Sequence, residues 1–370
     1  MRHVFITLSF FLFISWNTFC SAAALSYDGL EMPSGFITVV DEQGSIILQT
    51  GLAIRPGDQY IHEDNHRYEV TAVEGTLAKA RYIQNEASIS LESMVVSAQA
   101  STDNTAPLIA IYHSHTDECY IPYDGKPTIP GKGSIMLVGD AFSDRLTELG
   151  YQVAHSKTLH DPHDANAYQR SRRTFLKLLK QQPVALFDIH RDSAPLNVYQ
   201  TTINGEDTSR ILLVVGRQNQ NRTTTLDYAR SIKAAADAKY RSLVRGIFIA
   251  HGNYNQDLDP RAMLVEVGTQ YNTLQAAEHS AVLLADVIPA VLVLGTPGTT
   301  ASVDNNVAAY IAPEMRYGYD ILFIIGALLF AIVAYFYLST GSWQEAKRKL
   351  YQFRNYEFTN FLGFRKRRKK

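Results

Sequence analysis

The stretch LIAIYHSHTDE (Leu108–Glu118) runs five apolar residues straight into two histidines and two carboxylates. An apolar run of that length, opened by Pro107, suits a fully buried strand. A chain that ends such a strand on imidazoles and carboxylates makes either a polar loop or a cation site. Outward from this point, apolar runs alternate with helical periods. GSIMLVGDAFSDRLTELGYQVAHS reads as a helix closing near Gly150 and then a strand at Tyr151–Ala154. YQRSRRTFLKLLKQQ is amphipathic, with Phe175, Leu176, Leu178 and Leu179 on its apolar side, and the buried strand VALFDIH comes after it. ILLVVG, the helix TLDYARSIKAAADAKY, the strands GIFIAHG and RAMLVEVG, and one long helix TLQAAEHSAVLLADVIPAVLVL complete the series. Such alternation predicts an α/β domain over residues 107–295, with a mostly parallel sheet flanked by helices.

Upstream the pattern is different. GFITVVDEQGSIILQTGLAI and GDQYIHEDNHRYEVTAVEGTLAKARYI alternate β-branched residues and carry turn signals at Gly57-Asp58 and Asp64-Asn65. They predict a small β-rich domain within residues 25–83, joined to the α/β domain by a polar linker, 84–106. The first residues have a basic start at Arg2, an apolar run from Val4 to Trp16 and small residues at Ala22–Ala24, which predicts a signal peptide over 1–24. An uncleaved anchor is the alternative. After cleavage Cys119 would be the lone cysteine, so no intrachain disulfide is expected and its thiol reads as a small buried group.

After a juxtamembrane linker, 296–319, the run ILFIIGALLFAIVAYFYLST (Ile321–Thr340) holds no charged residue. At 1.5 Å per residue such a run covers roughly 30 Å, the hydrocarbon thickness of a bilayer, so 320–340 is expected to be a transmembrane helix. The tail 341–370 carries Lys347, Arg348, Lys349, Arg354 and the cluster from Arg365 to Lys370 against Glu345 and Glu357, while the whole chain has a formal charge of −1. A basic flank stays in the cytoplasm, so the chain is expected in the cell membrane as a single-pass protein with its large domain outside. Topology and anionic lipid account for the tail, and no nucleic-acid partner is expected.

Three strands of the α/β domain end in polar residues suited to a divalent cation: IAIYHSHTDE with His113, His115, Asp117 and Glu118; LFDIHRDS with Asp188, His190, Arg191 and Asp192; and RAMLVEVGTQYN with Glu266. In open α/β sheets ligands gather beyond the carboxyl ends of strands. Two histidines and a carboxylate are a common catalytic zinc set that leaves a fourth position for water. A buried glutamate such as Glu266 calls for a cation-bound water or a cationic partner, Arg261 being the plainer choice. The spacing of these strand-end residues does not match the HExxH helix, which excludes that metalloprotease class for the site.

IYHSHTDECY, KTLHDPHDANAYQRSRRT, LFDIHRDS, RGIF and YNQDLDPRAMLVEVGTQYNTLQAA occur in an order that resembles the stage II sporulation protein P family of peptidoglycan hydrolases, over roughly Pro107–Val293. The resemblance implies an N-acetylmuramoyl-L-alanine amidase-like fold and a zinc-dependent cut of the amide between glycan and stem peptide, with endopeptidase action on cross-links beside it. It further implies a lytic transglycosylase and septal membrane proteins as partners, and the lipid bilayer through the C-terminal helix. Residue by residue it implies zinc ligands His115 (His113 as the alternative), Glu118 and His190, with Glu266 as catalytic base. Arg191, Asp192, Tyr254, Asn255, Gln256, Asp257 and Asn272 are the candidate substrate contacts. The HDPHD run, His160–Asp164, reads as structural or substrate-contacting because Pro162 interrupts it. A non-catalytic peptidoglycan-binding or scaffolding protein of the same fold is the alternative.

Overall fold

The upstream β-branched runs form five strands: β1 (Ile37–Val40), β2 (Ile46–Thr50), β3 (Gln59–His62), β4 (His66–Glu74) and β5 (Leu77–Asn85). The computed structural model describes residues 30–32, 34–86, 106–164, 166–294 and 343–352. Beyond residue 105 come β6 (Leu108–Tyr112), the single turn α1 (Ile121–Asp124), α2 (Ile135–Glu148), β7 (Gln152–His155), α3 (Ala167–Leu179) and β8 (Ala185–Asp192). A hairpin of β9 (Gln200–Ile203) and β10 (Glu206–Ser209) precedes β11 (Ile211–Gly216), α4 (Arg222–Lys239), β12 (Val244–Ala250) and β13 (Ala262–Thr269). The helices α5 (Leu274–Ala285), α6 (Ile288–Leu294) and α7 (Trp343–Gln352) complete the described elements.

One sheet of eleven strands runs in the order β2-β1-β5-β4-β3-β12-β11-β13-β8-β6-β7. Within β6–β13 it is mostly parallel, as expected: β7, β6, β8 and β13 pair parallel, as do β11 and β12. The break is between β11 and β13, which are antiparallel. The connection from β12 to β13, residues 251–261, holds no helix. A parallel return needs a long crossover, so the chain re-enters the sheet in the opposite direction.

The β-rich segment is not a separate domain. Strand β3 pairs antiparallel with β12, Ile61 opposite Ile247, which extends the same sheet. Gly246 makes this close approach feasible: a Cβ there would stand 2.5 Å from Ile61 O and 2.6 Å from the Tyr60 ring. Strand β5 also runs two residues past the expected boundary, to Asn85. The sheet curls, so that Ile37, Val39, Leu48 and Tyr60 share a core with Leu212, Val214, Phe248 and Leu264. Farther along that face Phe175 and Leu178 of α3 cover Tyr112 and Leu186. On the opposite face α2, α4 and α5 bury Ile109, Ile111, Phe187, Ile189, Val265 and Val267.

The helix expected to run unbroken over 273–294 is two. Thr273 caps α5 by accepting from Ala276 N, and the helix ends at Asp286, whose carboxylate receives Arg145 Nε at 2.7 Å and Tyr240 OH at 2.7 Å. Pro289 then falls in the first turn of α6, where a missing N–H costs nothing. The expected signal peptide, the transmembrane run 320–340, the juxtamembrane linker and most of the basic tail lie outside the described residues. Among the described residues no helix is long and apolar enough to cross a membrane.

Deleting residues 30–86 would uncover the β12 edge and its apolar face, and an unpaired edge strand templates aggregation. The deleted chain is expected to lose soluble folded protein, read by circular dichroism and gel filtration. Phe248→Ala in the full chain should lower stability by about 3–5 kcal/mol, measured by urea unfolding.

Candidate metal centre and catalytic residues

Strand β6 ends at Tyr112, and the loop beyond it is buried residue by residue through Tyr120. Its polar groups are therefore held by specific partners. Ser114 donates its N–H and hydroxyl to the two oxygens of Asp188 at 2.7 and 2.6 Å. Tyr120 OH donates to Val267 O, and Cys119 N donates to Pro127 O. Cys119 is a free, buried thiol whose pKa burial raises, which fits its reading as a packing residue.

These ties aim three side chains at one place. Glu118 Oε2 accepts from Arg191 N at 2.9 Å, which turns Oε1 toward two imidazoles. It stands 3.5 Å from His115 Nδ1 and 3.4 Å from His190 Nδ1. Ligand atoms around a tetrahedral zinc with bonds of about 2.0–2.1 Å lie about 3.3–3.4 Å apart. Neither Nδ1 has an aligned hydrogen-bond partner among the described residues, although both are buried. Buried ring nitrogens without partners, facing a shared carboxylate oxygen, are what a divalent cation would satisfy. Asp188 Oδ1 lies 2.9 Å from His190 Nε2, off the line of a hydrogen bond, on the side of the ring away from Glu118.

The electrostatics point the same way. Burial opposes ionisation of Glu118, yet His190, His115 and Arg191 hold its pKa well below the usual range. Burial likewise opposes charge on His190, and Asp188 and Glu118 on either side raise its pKa well above normal. Glu266 is the counter-case. It pairs in register with His190 on the adjacent parallel strand, so the two side chains share a sheet face. Burial, reinforced by Asp192, Glu118 and Glu31 against the pull of His190, pushes its carboxyl pKa well above the normal range. Its Oε2 has no hydrogen-bond partner among the described residues.

Glu118 thus stands between His115 and His190, with Glu266 in register beside His190, whereas His113 does not join them. Its Nδ1 bonds Ile189 O at 2.8 Å and its Nε2 meets His155 at 2.9 Å, while burial and His155 lower its pKa to about 3. The expected substrate contacts mostly hold the framework. The Arg191 guanidinium donates to Cys119 O and Pro127 O. Asp192 accepts from Gly51 N and Tyr199 OH, both at 2.7 Å, and so staples the β1–β2 hairpin to β8. Asn255 donates to Tyr168 O, Gln256 bridges Gly216 N and Val214 O, and Asp257 pairs bidentately with Arg172. Asn272 closes the turn after β13 by accepting from Thr269 N. Tyr254 is buried with its ring edge-on to Tyr168, 5.4 Å between centroids, and Tyr168 in turn lies edge-on to His115 at 5.3 Å.

Two residues to which the sequence assigns no ligand role stand with His115 and Glu118, in a set that includes neither His190 nor Glu266. Oxygen and nitrogen atoms of Glu31, His115, Glu118 and His163 all lie within 4.8 Å of one another. His163 comes from HDPHD, a run conspicuous in the sequence. Its ring stacks on His115 at 3.9 Å; burial opposes its charge, but hydrogen bonds to Asp117 and Glu31 push its pKa up to about 10. Its companion His160 is structural, bonding His113 O and Thr174 Oγ1. Glu31, in GLEMPSG, carries no motif at all.

Residues 35–289 match the family model of stage II sporulation protein P (SpoIIP), a span that takes in β1–β5 as well as the α/β part. The stage II sporulation protein P of Bacillus subtilis (strain 168) is 30% identical over 205 residues, covering 50% of this chain and 51% of that protein. This chain therefore spans about half the length of that relative. Among solved structures, the N-acetylmuramyl-L-alanine amidase Ami1 of Mycobacterium smegmatis overlaps 51% of this chain and 99% of its own, with a TM-score of 0.34 and 14% identity. The apo form of Ami1 from Mycobacterium abscessus overlaps 56% of this chain and 100% of its own, at 0.31 and 14%. With the family match spanning residues 35–289, more than half of the chain and including His115, Glu118, His190 and Glu266, the chain belongs to the stage II sporulation protein P family.

Proposed function

We propose that this protein is a zinc-dependent peptidoglycan hydrolase that cuts the amide between N-acetylmuramic acid and the L-alanine of the stem peptide. The observation that carries the reading is the Glu118 oxygen standing 3.4–3.5 Å from two buried, otherwise unpartnered imidazole nitrogens, with Glu266 in register beside one of them. His115, Glu118 and His190 would hold the ion. Zinc in such a set polarises a carbonyl and brings the pKa of a bound water to about 7. Glu266, whose carboxyl pKa burial raises above its ordinary value, would take the proton as water attacks the amide carbon and return it to the departing nitrogen. Asp188 would fix the His190 ring, and Ser114 would fix Asp188. The apolar run 320–340 and the basic residues after it support placement on the outer face of the cell membrane, where the substrate lies. Lytic transglycosylases and septal membrane proteins are the partners this reading carries with it.

Glu266→Gln should fold and keep stoichiometric zinc but release stem peptides from purified sacculi about 10²–10⁴-fold more slowly, as expected for loss of a general base. Mass spectrometry of the products identifies the bond: free L-alanine termini on intact stem peptides support the amidase, whereas cut cross-links alone make the protein an endopeptidase. Retained activity in this variant removes the base from the mechanism, and no product from the zinc-loaded native chain favours the scaffolding alternative. Asp188→Asn should weaken zinc binding by about 10–100-fold, read by competition with a chromophoric chelator.

A further inference from the structure

We infer that Glu31 supplies a fourth protein ligand to the same cation, and that the short strap carrying it must come away before substrate can reach the centre. This rests on the zinc reading above, and it concerns a residue just ahead of the segment that matches the family. Glu31 Oε1 lies 2.9 Å from His115 Nδ1, off the line of a hydrogen bond, and its side chain is 20% exposed. The other oxygen, Oε2, meets His163 Nε2 at 2.9 Å, and His163 Nδ1 meets Asp117 at 3.1 Å. His163 therefore steers the carboxylate, leaving Oε1 for the place where His115 and Glu118 converge.

The strap is small and its fastening is explicit. Met32 N donates to Gly51 O at 2.7 Å, Ala53 N donates to Leu30 O at 3.0 Å, and Glu31 bridges Leu52. Gly51 is itself held by Asp192, and a Cβ on it would stand 2.6 Å from Ser193 Cβ, so the fastening point is pressed against the end of β8. Leu30 reaches Gly252 beside Tyr254, where a Cβ would meet its Cδ2 at 2.6 Å. Four protein ligands make a closed zinc site; hydrolysis needs one position open. A carboxylate oxygen is also the group that amide hydrolysis leaves on the glycan side, so Glu31 occupies the centre as a tethered likeness of the product.

The test compares the full chain in detergent with Glu31→Ala and with Met32→Pro, which removes the donor that fastens the strap but keeps the carboxylate. Loss of an outer partner of a ligand already costs about 10–100-fold in metal affinity, so Glu31→Ala should weaken zinc binding by about tenfold or more in chelator competition. The cobalt-substituted protein should change its visible absorption, and added acetate should move the Glu31→Ala spectrum back. At saturating zinc both variants should release stem peptides several-fold faster than the native chain. Equal affinity and identical cobalt spectra in native and Glu31→Ala proteins overturn the ligand assignment, whether or not sacculi are cut. The affinity loss and acetate response without cutting by any of the proteins uphold the assignment and reject the hydrolase reading instead.

Discussion

The structure turns on strand β8, which carries Asp188, His190 and Asp192 at alternate positions into an interior where all its residues are buried. Ionisable groups so placed must each find a partner or force the strand out. Each partner recruits a different part of the chain. Asp188 takes Ser114 and so fixes the loop after β6; His190 takes Glu118 from that same loop; Asp192 takes Gly51 and Tyr199, which brings the N-terminal strands and the approach to the β9–β10 hairpin against the sheet. The fold around the centre comes from satisfying one strand.

That arrangement also concentrates negative charge. Glu31, Glu118, Asp188 and Glu266 approach His115 and His190, while the Arg191 guanidinium is committed to backbone carbonyls. Carboxylates desolvated together repel one another, and the carboxyl pKa of Glu266 is raised by burial and by its acidic neighbours. A divalent ion relieves the others without adding bulk. The proposed ion would thus answer a demand of packing as well as of chemistry, and the unaligned ring nitrogens of His115 and His190 support it.

Much of this is legible from local pattern. Apolar runs ending in histidine or carboxylate locate β6, β8 and β13, and the converging residues sit at their ends. The sheet's continuation through β1–β5 is not legible, because a two-residue alternation says that a strand has a buried face and nothing about which edge it joins. The β9–β10 hairpin does leave a local mark, the Asn204-Gly205 turn with both residues at positive φ, but its flanking strands are too short and polar to stand out by alternation. Tyr254 to Asp257 look like cleft residues because polar runs in loops suggest contact with ligand; Asn255, Gln256 and Asp257 instead tie backbone and helix together. Glu31 cannot be found by spacing, since what places it is a pair of backbone hydrogen bonds to a strand end remote from His115 in sequence.

The route from Glu31 through Gly51 to Asp192 and on to His190 along β8 has a thermodynamic corollary. Two events that exclude each other at one point are linked, and linkage is reciprocal. Anything that lifts the Leu30–Met32 strap would open the centre, and any wall fragment that settles at the centre would, by the same factor, set the strap free. Contact with the target would then be reported by release of this strap, without a rearrangement of the sheet.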